Sequence, residues 1–184
     1  MRFAHRSKPC KGEKANGDRA VVIDRDGVVL LAVVDGLGHG PAASLAADAA
    51  ERTLDAAKVE LSLEELFKLV DRALRGTRGA AMTALRIAKG ELEAAAIGNV
   101  GFRSTASGIP LVWTPGILGQ THRPLRVGRC AAPKHGRLLL FSDGISSRFR
   151  LDSLDTKSPE RACEELLASH ALPHDDATAL IMDL

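Results

Sequence analysis

Apolar residues gather along the chain in short runs, and the spacing within each run separates strands from helices. "RAVVID" and "VVLLAVVD" flank a tight Asp26-Gly27 turn and predict a first hairpin. Pro41, a good first-turn residue, opens an alanine-rich stretch that predicts a helix over residues 41–59. Ser62 precedes "LEELFKLVDRAL", with Glu65 three residues on, a capping-box pattern for a second helix. Its stripe of Leu63, Leu66, Phe67, Val70 and Leu74 is core-facing by spacing, and Gly76 and Gly79 bracket the exit.

"AAMTALRIAKGELEAAAIGNV" predicts a second hairpin turning at Lys89-Gly90, although its alanines have little strand propensity. "GFRSTASGIPLVW" predicts a third. Residues 114–136 are punctuated by Gly and Pro, with a short strand expected over Leu125–Val127. "RLLLFSD" reads as a buried strand, "SPERACEELLASH" as a helix started by Ser158-Pro159, and "ATALIMD" as a final strand. Strands that follow one another in hairpins, with helices in groups, point to α+β layers with antiparallel sheets rather than βαβ units. No repeat or linker divides the chain, so one domain is expected over residues 1–184.

Composition narrows the function classes. The 184 residues are 45% hydrophobic, enough for a sizeable core, and no apolar run reaches the length of a membrane span. "MRFAHRSKPCKGEK" is basic but has no apolar signal core. Cys10, Cys130 and Cys163 are odd in number and far apart, which fits reduced thiols better than disulfides or zinc. These features favour the cytoplasm. Aromatics are 3% of the chain and tyrosine is absent, so a base-stacking surface for nucleic acid is poorly supplied.

Net charge is only +2, yet no acidic residue occurs from Ala94 to Ser142, where Arg103, Arg123, Arg126, Arg129, Lys134 and Arg137 all fall. The stretch is either a solvated face or a dock for an acidic or phosphorylated partner.

The glycine-rich loop in "VLLAVVDGLGHGPAAS" resembles a dinucleotide loop only in isolation. The strand before it is the second arm of a hairpin and another helix follows the first, so the βαβ context is missing. A P-loop would need Gly-Lys-Ser/Thr, and no G-x-S-x-G elbow marks an acyl-enzyme hydrolase. The aspartates carry more. "LLAVVDG" and "RLLLFSDG" each deliver a carboxylate, Asp35 and Asp143, to a strand end followed by glycine. Asp18 in "NGDRAVV" and Asp175-Asp176 in "HDDATALIM" stand at further strand edges. Gathered carboxylates repel unless a cation sits among them. Oxygen-only ligands favour Mg²⁺ or Mn²⁺, and a pair of such ions supports hydrolysis of a phosphate ester.

In this order, "NGD", "VVDGLGHG", "LLLFSDG" and "DDATALIM" resemble the motifs of the metal-dependent serine/threonine phosphatases, the PPM family, in its bacterial SpoIIE/RsbX branch. The likeness runs from about Gly12 to the C-terminus. It implies a sandwich of two antiparallel sheets with helices outside and a two-metal centre, Mn²⁺ or Mg²⁺, at one edge. Carried over by motif, Asp35 would bridge the ions and the Gly36 carbonyl would bind one. Asp143 and Asp175 would be ligands, Asp18 would act directly or through water, and Asp176 occupies the neighbouring place.

Three positions depart from the pattern. Gly17 stands where many members have Glu, Glu13 stands near the place of a phosphate-binding Arg, and Asn99 replaces an acid tied to a third metal. No inserted flap or sensor domain is expected. The likeness to RsbX implies dephosphorylation of phosphorylated STAS-domain proteins in bacterial stress-response (stressosome) signalling. The acid-free stretch would then dock that partner, with Arg123, Arg126 and Arg129 as the cationic contact. The alternative is a PPM-fold module that binds a phosphoprotein without turnover; a metal-dependent phosphodiesterase would want histidine ligands. His39 is either a proton donor to the leaving oxygen or a loop histidine bonded to its neighbours. His174 lies beside the Asp pair, and Trp113 reads as a core or sheet-edge residue.

Overall fold

The computed structural model describes residues 1–184. The chain begins with β1 (Arg2–Lys8), β2 (Asp18–Arg25) and β3 (Val28–Gly36), then α1 (Pro41–Ala56) and α2 (Leu63–Ala73). There follow β4 (Ala80–Ala88), β5 (Glu91–Ile97), β6 (Gly101–Ser104), β7 (Trp113–Thr114), β8 (Gly128–Ala131) and β9 (Arg137–Phe141). After a 3-10 turn at Leu151–Leu154 come α3 (Pro159–His170) and β10 (Ala177–Asp183).

Period-two alternation assigns the layers. In β3, Leu30, Ala32 and Val34 pack with Ala46, Leu54, Phe67 and Val70 of α1 and α2. Val29, Leu31 and Val33 instead join Leu138, Leu140, Leu180 and Met182 of β9 and β10. The opposite faces of β9 and β10 carry Leu139, Phe141, Ala179 and Ile181 against Ala162, Cys163 and Leu166 of α3. One sheet runs β2-β3-β4-β5-β7 with β8 beside β5, the other β1-β10-β9-β6. The result is α+β layers, as the pattern predicts, in the helix–sheet–sheet–helix sandwich that the family resemblance implies.

The first two hairpins form as expected. Asp26-Gly27 and Lys89-Gly90 take positive φ at both turn positions, the mirror-image turns that match strand twist. Ser62 and Glu65 close the capping box, and Ser158 caps α3. Helix α1 stops at Ala56, three residues short of the predicted end. The chain turns extended at Ala57, whose carbonyl accepts from Arg25 Nη2 at 2.8 Å.

Two expectations fail. "GFRSTASGIPLVW" is no hairpin: β6 pairs antiparallel with β9 in one sheet, while β7 pairs parallel with β5 in the other. Phe102 packs against the core between the sheets, and the intervening Pro110 has no N–H to offer a ladder. The strand expected over Leu125–Val127 lies at Gly128–Ala131. Leu125 and Val127 pack on the helix-side core as irregular chain. β1 escapes the hydrophobic pattern altogether, because only Ala4 of its residues is buried. It is a charged edge strand held along β10 from Arg2↔Asp183 to Lys8↔Ala177.

Buried Arg137 locks the end of β9 and β10 remote from Asp143. Its Nε and Nη2 donate to the Asp183 carboxylate at 2.7 and 2.8 Å, and Nη1 and Nη2 reach the Leu154 and Lys157 carbonyls. No helix is long and apolar enough to cross a membrane.

Candidate metal centre

Asp18 opens β2 and Asp35 lies near the end of β3, and the strand register sets the two directly opposite each other. Asp143 lies just past β9, and Asp175 just before β10. These strands are antiparallel neighbours, joined at this end by Ser142 N to the Thr178 carbonyl (3.0 Å) and Thr178 N to Ser142 Oγ (2.9 Å). Both sheets therefore deliver carboxylates to one edge. Asp35, Asp143 and Asp175 line a cleft of about 110 Å³ with Gly38, Asn99 and Gly116. Asp18, buried at 2% exposure, sits beside Asp35.

The glycine after each aspartate has a steric cause. A Cβ on Gly36 would stand 2.3 Å from the Ala43 carbonyl oxygen, and one on Gly144 would stand 1.8 Å from the Asp176 carbonyl oxygen. The first glycine lets α1 close over β3. The second presses the Asp143 turn against the Asp175-Asp176 turn. Gly17 is equally confined, since a Cβ would meet the Ala43 side chain at 2.7 Å.

Burial raises the Asp35 carboxyl to about 9, with Asp18, Asp143 and Asp175 adding like-charge repulsion. Asp18 is pushed up to about 7, again chiefly by burial; the Ser142 and Thr178 hydroxyls offset part of this, and Asp176 and Asp143 add to it. Asp175 rises by burial and by its proximity to Asp143. For each of these groups burial is the largest cause, and neighbouring carboxylates add to it.

No three of these side chains converge into a ready-made metal cage, as expected of like charges without a counter-ion. Asn99 Nδ2 instead donates to Asp143 Oδ2 at 2.5 Å. The donor set nevertheless fits hard divalent ions. All the acidic groups offer oxygen, and Asp18 Oδ2 is buried without any hydrogen-bond partner, an expensive state for an anionic oxygen.

The remaining candidates lie around this core. Asp176 is buried, and its two oxygens accept from Cys10 N and Gly17 N, each at 2.8 Å. That geometry ties the loop between β1 and β2 to the start of β10. His39 is exposed on the glycine loop, with Nδ1 3.3 Å from Glu13 Oε1, and His174 faces solvent. The basic stretch divides. Arg129 is paired with Glu64 and Glu93, Arg137 with Asp183, and Arg103 holds the Ser147 and Phe149 carbonyls. Arg123 and Arg126 are exposed, and their backbone amides bond Pro115 O and Thr114 Oγ1, next to the cleft residue Gly116.

Arg78 was invisible to the motif reading. Its Nη1 lies 3.0 Å from the point where Gly38 would carry a Cβ. Its backbone is held on both sides, by Gln120 Nε2 on its own carbonyl and by Leu37 N on the Gly79 carbonyl. A guanidinium thus lies against the loop that lines an otherwise acidic cleft. Only the antiparallel return of β4 beside β3 brings it there.

Two-sheet topology and the acidic edge together invite comparison with known proteins. The family model for Stage II sporulation protein E (SpoIIE) matches residues 25–184. The chain belongs to the SpoIIE family. This places it among the PPM-type bacterial phosphatases. No curated protein matches the sequence. A structure described as "The bacterial stressosome: a modular system that has been adapted to control secondary messenger signaling" is 30% identical, with TM-score 0.90 over 97% of both chains. RsbX in complex with magnesium is 20% identical, with TM-score 0.82 over 99% of this chain and 94% of that one. The catalytic domain of the serine/threonine phosphatase PstP, bound to 2 manganese ions, is 20% identical, with TM-score 0.72 over 99% and 97%. The last two likenesses speak to the fold. β1, outside the matched family region, is present here as the edge of the second sheet.

Proposed function

We propose that this SpoIIE-family protein is a Mn²⁺- or Mg²⁺-dependent phosphatase that removes phosphate from serine or threonine of STAS-domain regulators in stressosome-type signalling. The observation that carries the reading is the meeting of Asp18, Asp35, Asp143 and Asp175 at one sheet edge, with a buried Asp18 oxygen lacking any partner. The substrate class is supported by the 30% identical stressosome structure.

Asp18, Asp35, Asp143, Asp175 and the Gly36 carbonyl would hold two ions, which when bound supply Lewis acidity for in-line attack of water on the phosphoryl group. The chain's own residues position the ester around them. Arg78, over Gly38, would donate to phosphoryl oxygens. Glu13 would hold Nδ1–H of a His39 imidazolium, leaving Nε2–H to give its proton to the leaving serine or threonine oxygen and the ring to return to its neutral form. Asp176 keeps the loop carrying Glu13 in register through the amides of Cys10 and Gly17. Exposed Arg123 and Arg126 would meet acidic groups on a folded partner.

The deciding experiment measures phosphate release from a phosphorylated STAS-domain protein with Mn²⁺, with Mg²⁺ and with EDTA. Metal-dependent release that EDTA abolishes is the expected result. Full turnover in metal-stripped protein overturns the proposal. Tight binding of the phosphoprotein without release would identify a non-catalytic binding module.

A further inference from the structure

Beside the cleft, and sharing Gly98, Asn99 and Asp143 with it, runs a broader open groove of about 650 Å³. Trp113 of β7 and the loop from Ile145 to Arg148 line it, together with Phe141 and Leu172. The smaller cleft has room for a phosphoryl group and little else. A chain attached to that phosphate must leave along the surface, and this groove opens from the same residues.

Both are held in place by hydrogen bonds. The Trp113 indole N–H donates to the Val100 carbonyl at 2.9 Å, which fixes the ring while leaving the residue 44% exposed. Val112 beside it is 39% exposed. In the loop, Ser146 N bonds the His170 carbonyl and Leu172 N bonds the Gly144 carbonyl. Arg103 pins the Ser147 and Phe149 carbonyls at 2.7 Å each and stacks on the Phe149 ring. Arg148 projects from this fixed loop, and its guanidinium has no hydrogen bond or ion pair within the chain. A half-exposed, hydrogen-bonded aromatic and an unpaired cation lining one groove form a pattern of recognition surfaces.

We propose that this groove receives the segment flanking the phosphorylated residue of a protein substrate, with an apolar side chain against Trp113 and an acidic one against Arg148. The inference rests on the phosphatase reading and adds a local sequence preference to it. The charge of Arg148 and the continuity with the cleft through Asp143 select a phosphoprotein segment over a second copy of this chain.

Trp113 is the sole tryptophan, so its emission reports the groove directly. The test titrates Mn²⁺-loaded protein with peptides whose phosphoserine is replaced by a non-hydrolysable phosphonate. One set carries Leu-Glu-Glu on either side of the phosphonate, another Ser-Lys-Lys, and inorganic phosphate serves as the third ligand. Saturable change in Trp113 emission with a Leu-Glu-Glu peptide, and not with the other ligands, is expected. Arg148→Glu should weaken that binding about tenfold, the scale of an exposed attraction turned into repulsion. It should leave hydrolysis of p-nitrophenyl phosphate unchanged. Equal emission changes with all ligands, no change with either Leu-Glu-Glu peptide, or indifference to Arg148→Glu would overturn the proposal. So would an emission change that follows protein concentration alone, which would mark self-association. Hydrolysis of p-nitrophenyl phosphate without peptide-specific emission rejects the groove and keeps the phosphatase; the converse rejects the phosphatase and keeps the groove.

Discussion

Asp18 and Asp35 are direct cross-strand partners on β2 and β3. Like charges so placed destabilise a sheet, and burial deepens the cost. Replacing Asp35 with Asn should therefore stabilise the metal-free protein while removing its response to metal. Relief of about 1 kcal/mol would raise Tm by about 2–4 °C at this size. Wild type should instead gain about 2.7 kcal/mol at a free Mn²⁺ concentration of 100 times Kd. Calorimetry of both proteins with EDTA and with Mn²⁺ measures the two effects, and a D35N variant that still responds to Mn²⁺ would remove Asp35 from the ligand set.

The same pair sets a pH dependence for the metal-free protein. Both carboxyls bind protons more tightly when folded, to about 7 for Asp18 and about 9 for Asp35. Their contribution is fully present below the unfolded carboxylate pKa of about 4. It is lost as pH rises through the folded values, because the native state then holds protons that the unfolded chain has released. In EDTA, the urea midpoint should fall between pH 5 and pH 9, and the D18N/D35N double variant should flatten this slope. With Mn²⁺ the slope should reverse, since ligands bind metal deprotonated.

Arg78 offers a kinetic test. Arg78→Ala should raise KM for p-nitrophenyl phosphate about tenfold, the scale of one charge-assisted contact, and weaken product inhibition by inorganic phosphate in parallel. Arg78→Lys should recover part of both. Unchanged KM and inhibition would assign this guanidinium to the loop rather than to substrate.

Arg123 and Arg126 should act on the partner, not on the chemistry. A folded phosphorylated STAS protein should be processed faster than a short phosphopeptide with the same site. The R123A/R126A variant and raised salt should both narrow that advantage, because exposed charges are screened beyond about 8–10 Å. Arg129→Ala should behave differently. It removes the pairing with Glu64 and Glu93 at a cost under about 1 kcal/mol for so exposed a side chain, with little effect on the partner. Rates on the two substrates that do not differ at any salt would leave recognition to the cleft and its adjoining groove.

Asp35-Gly36 and Asp143-Gly144 were legible because a buried strand must end somewhere, and a carboxylate followed by glycine at that end marks a built turn. The hairpins at Asp26-Gly27 and Lys89-Gly90 were legible for the same local reason. β1 was not, because an edge strand with one buried residue carries no alternation. Nor was the split of β6 and β7 between two sheets, which depends on Phe102 packing between the sheets rather than on any turn residue. Arg78 and Trp113 reach the site only through tertiary structure, and no spacing in the chain links them to the aspartates. The basic stretch misled in part, since a count of charges cannot show that Arg103, Arg129 and Arg137 are spent on partners inside the fold.

The acidic edge draws on residues as far apart in the chain as Asp18 and Asp175, and it is complete only when β2 and β3 of one sheet stand against β9 and β10 of the other. Contacts of such long sequence separation form late, after most loop-closure entropy has been spent. An ion bound there would hold the finished protein rather than guide its assembly. Its stabilisation would then appear almost wholly as slower unfolding, with the refolding rate scarcely changed, so that metal governs how long the native state lasts and not how quickly it is reached.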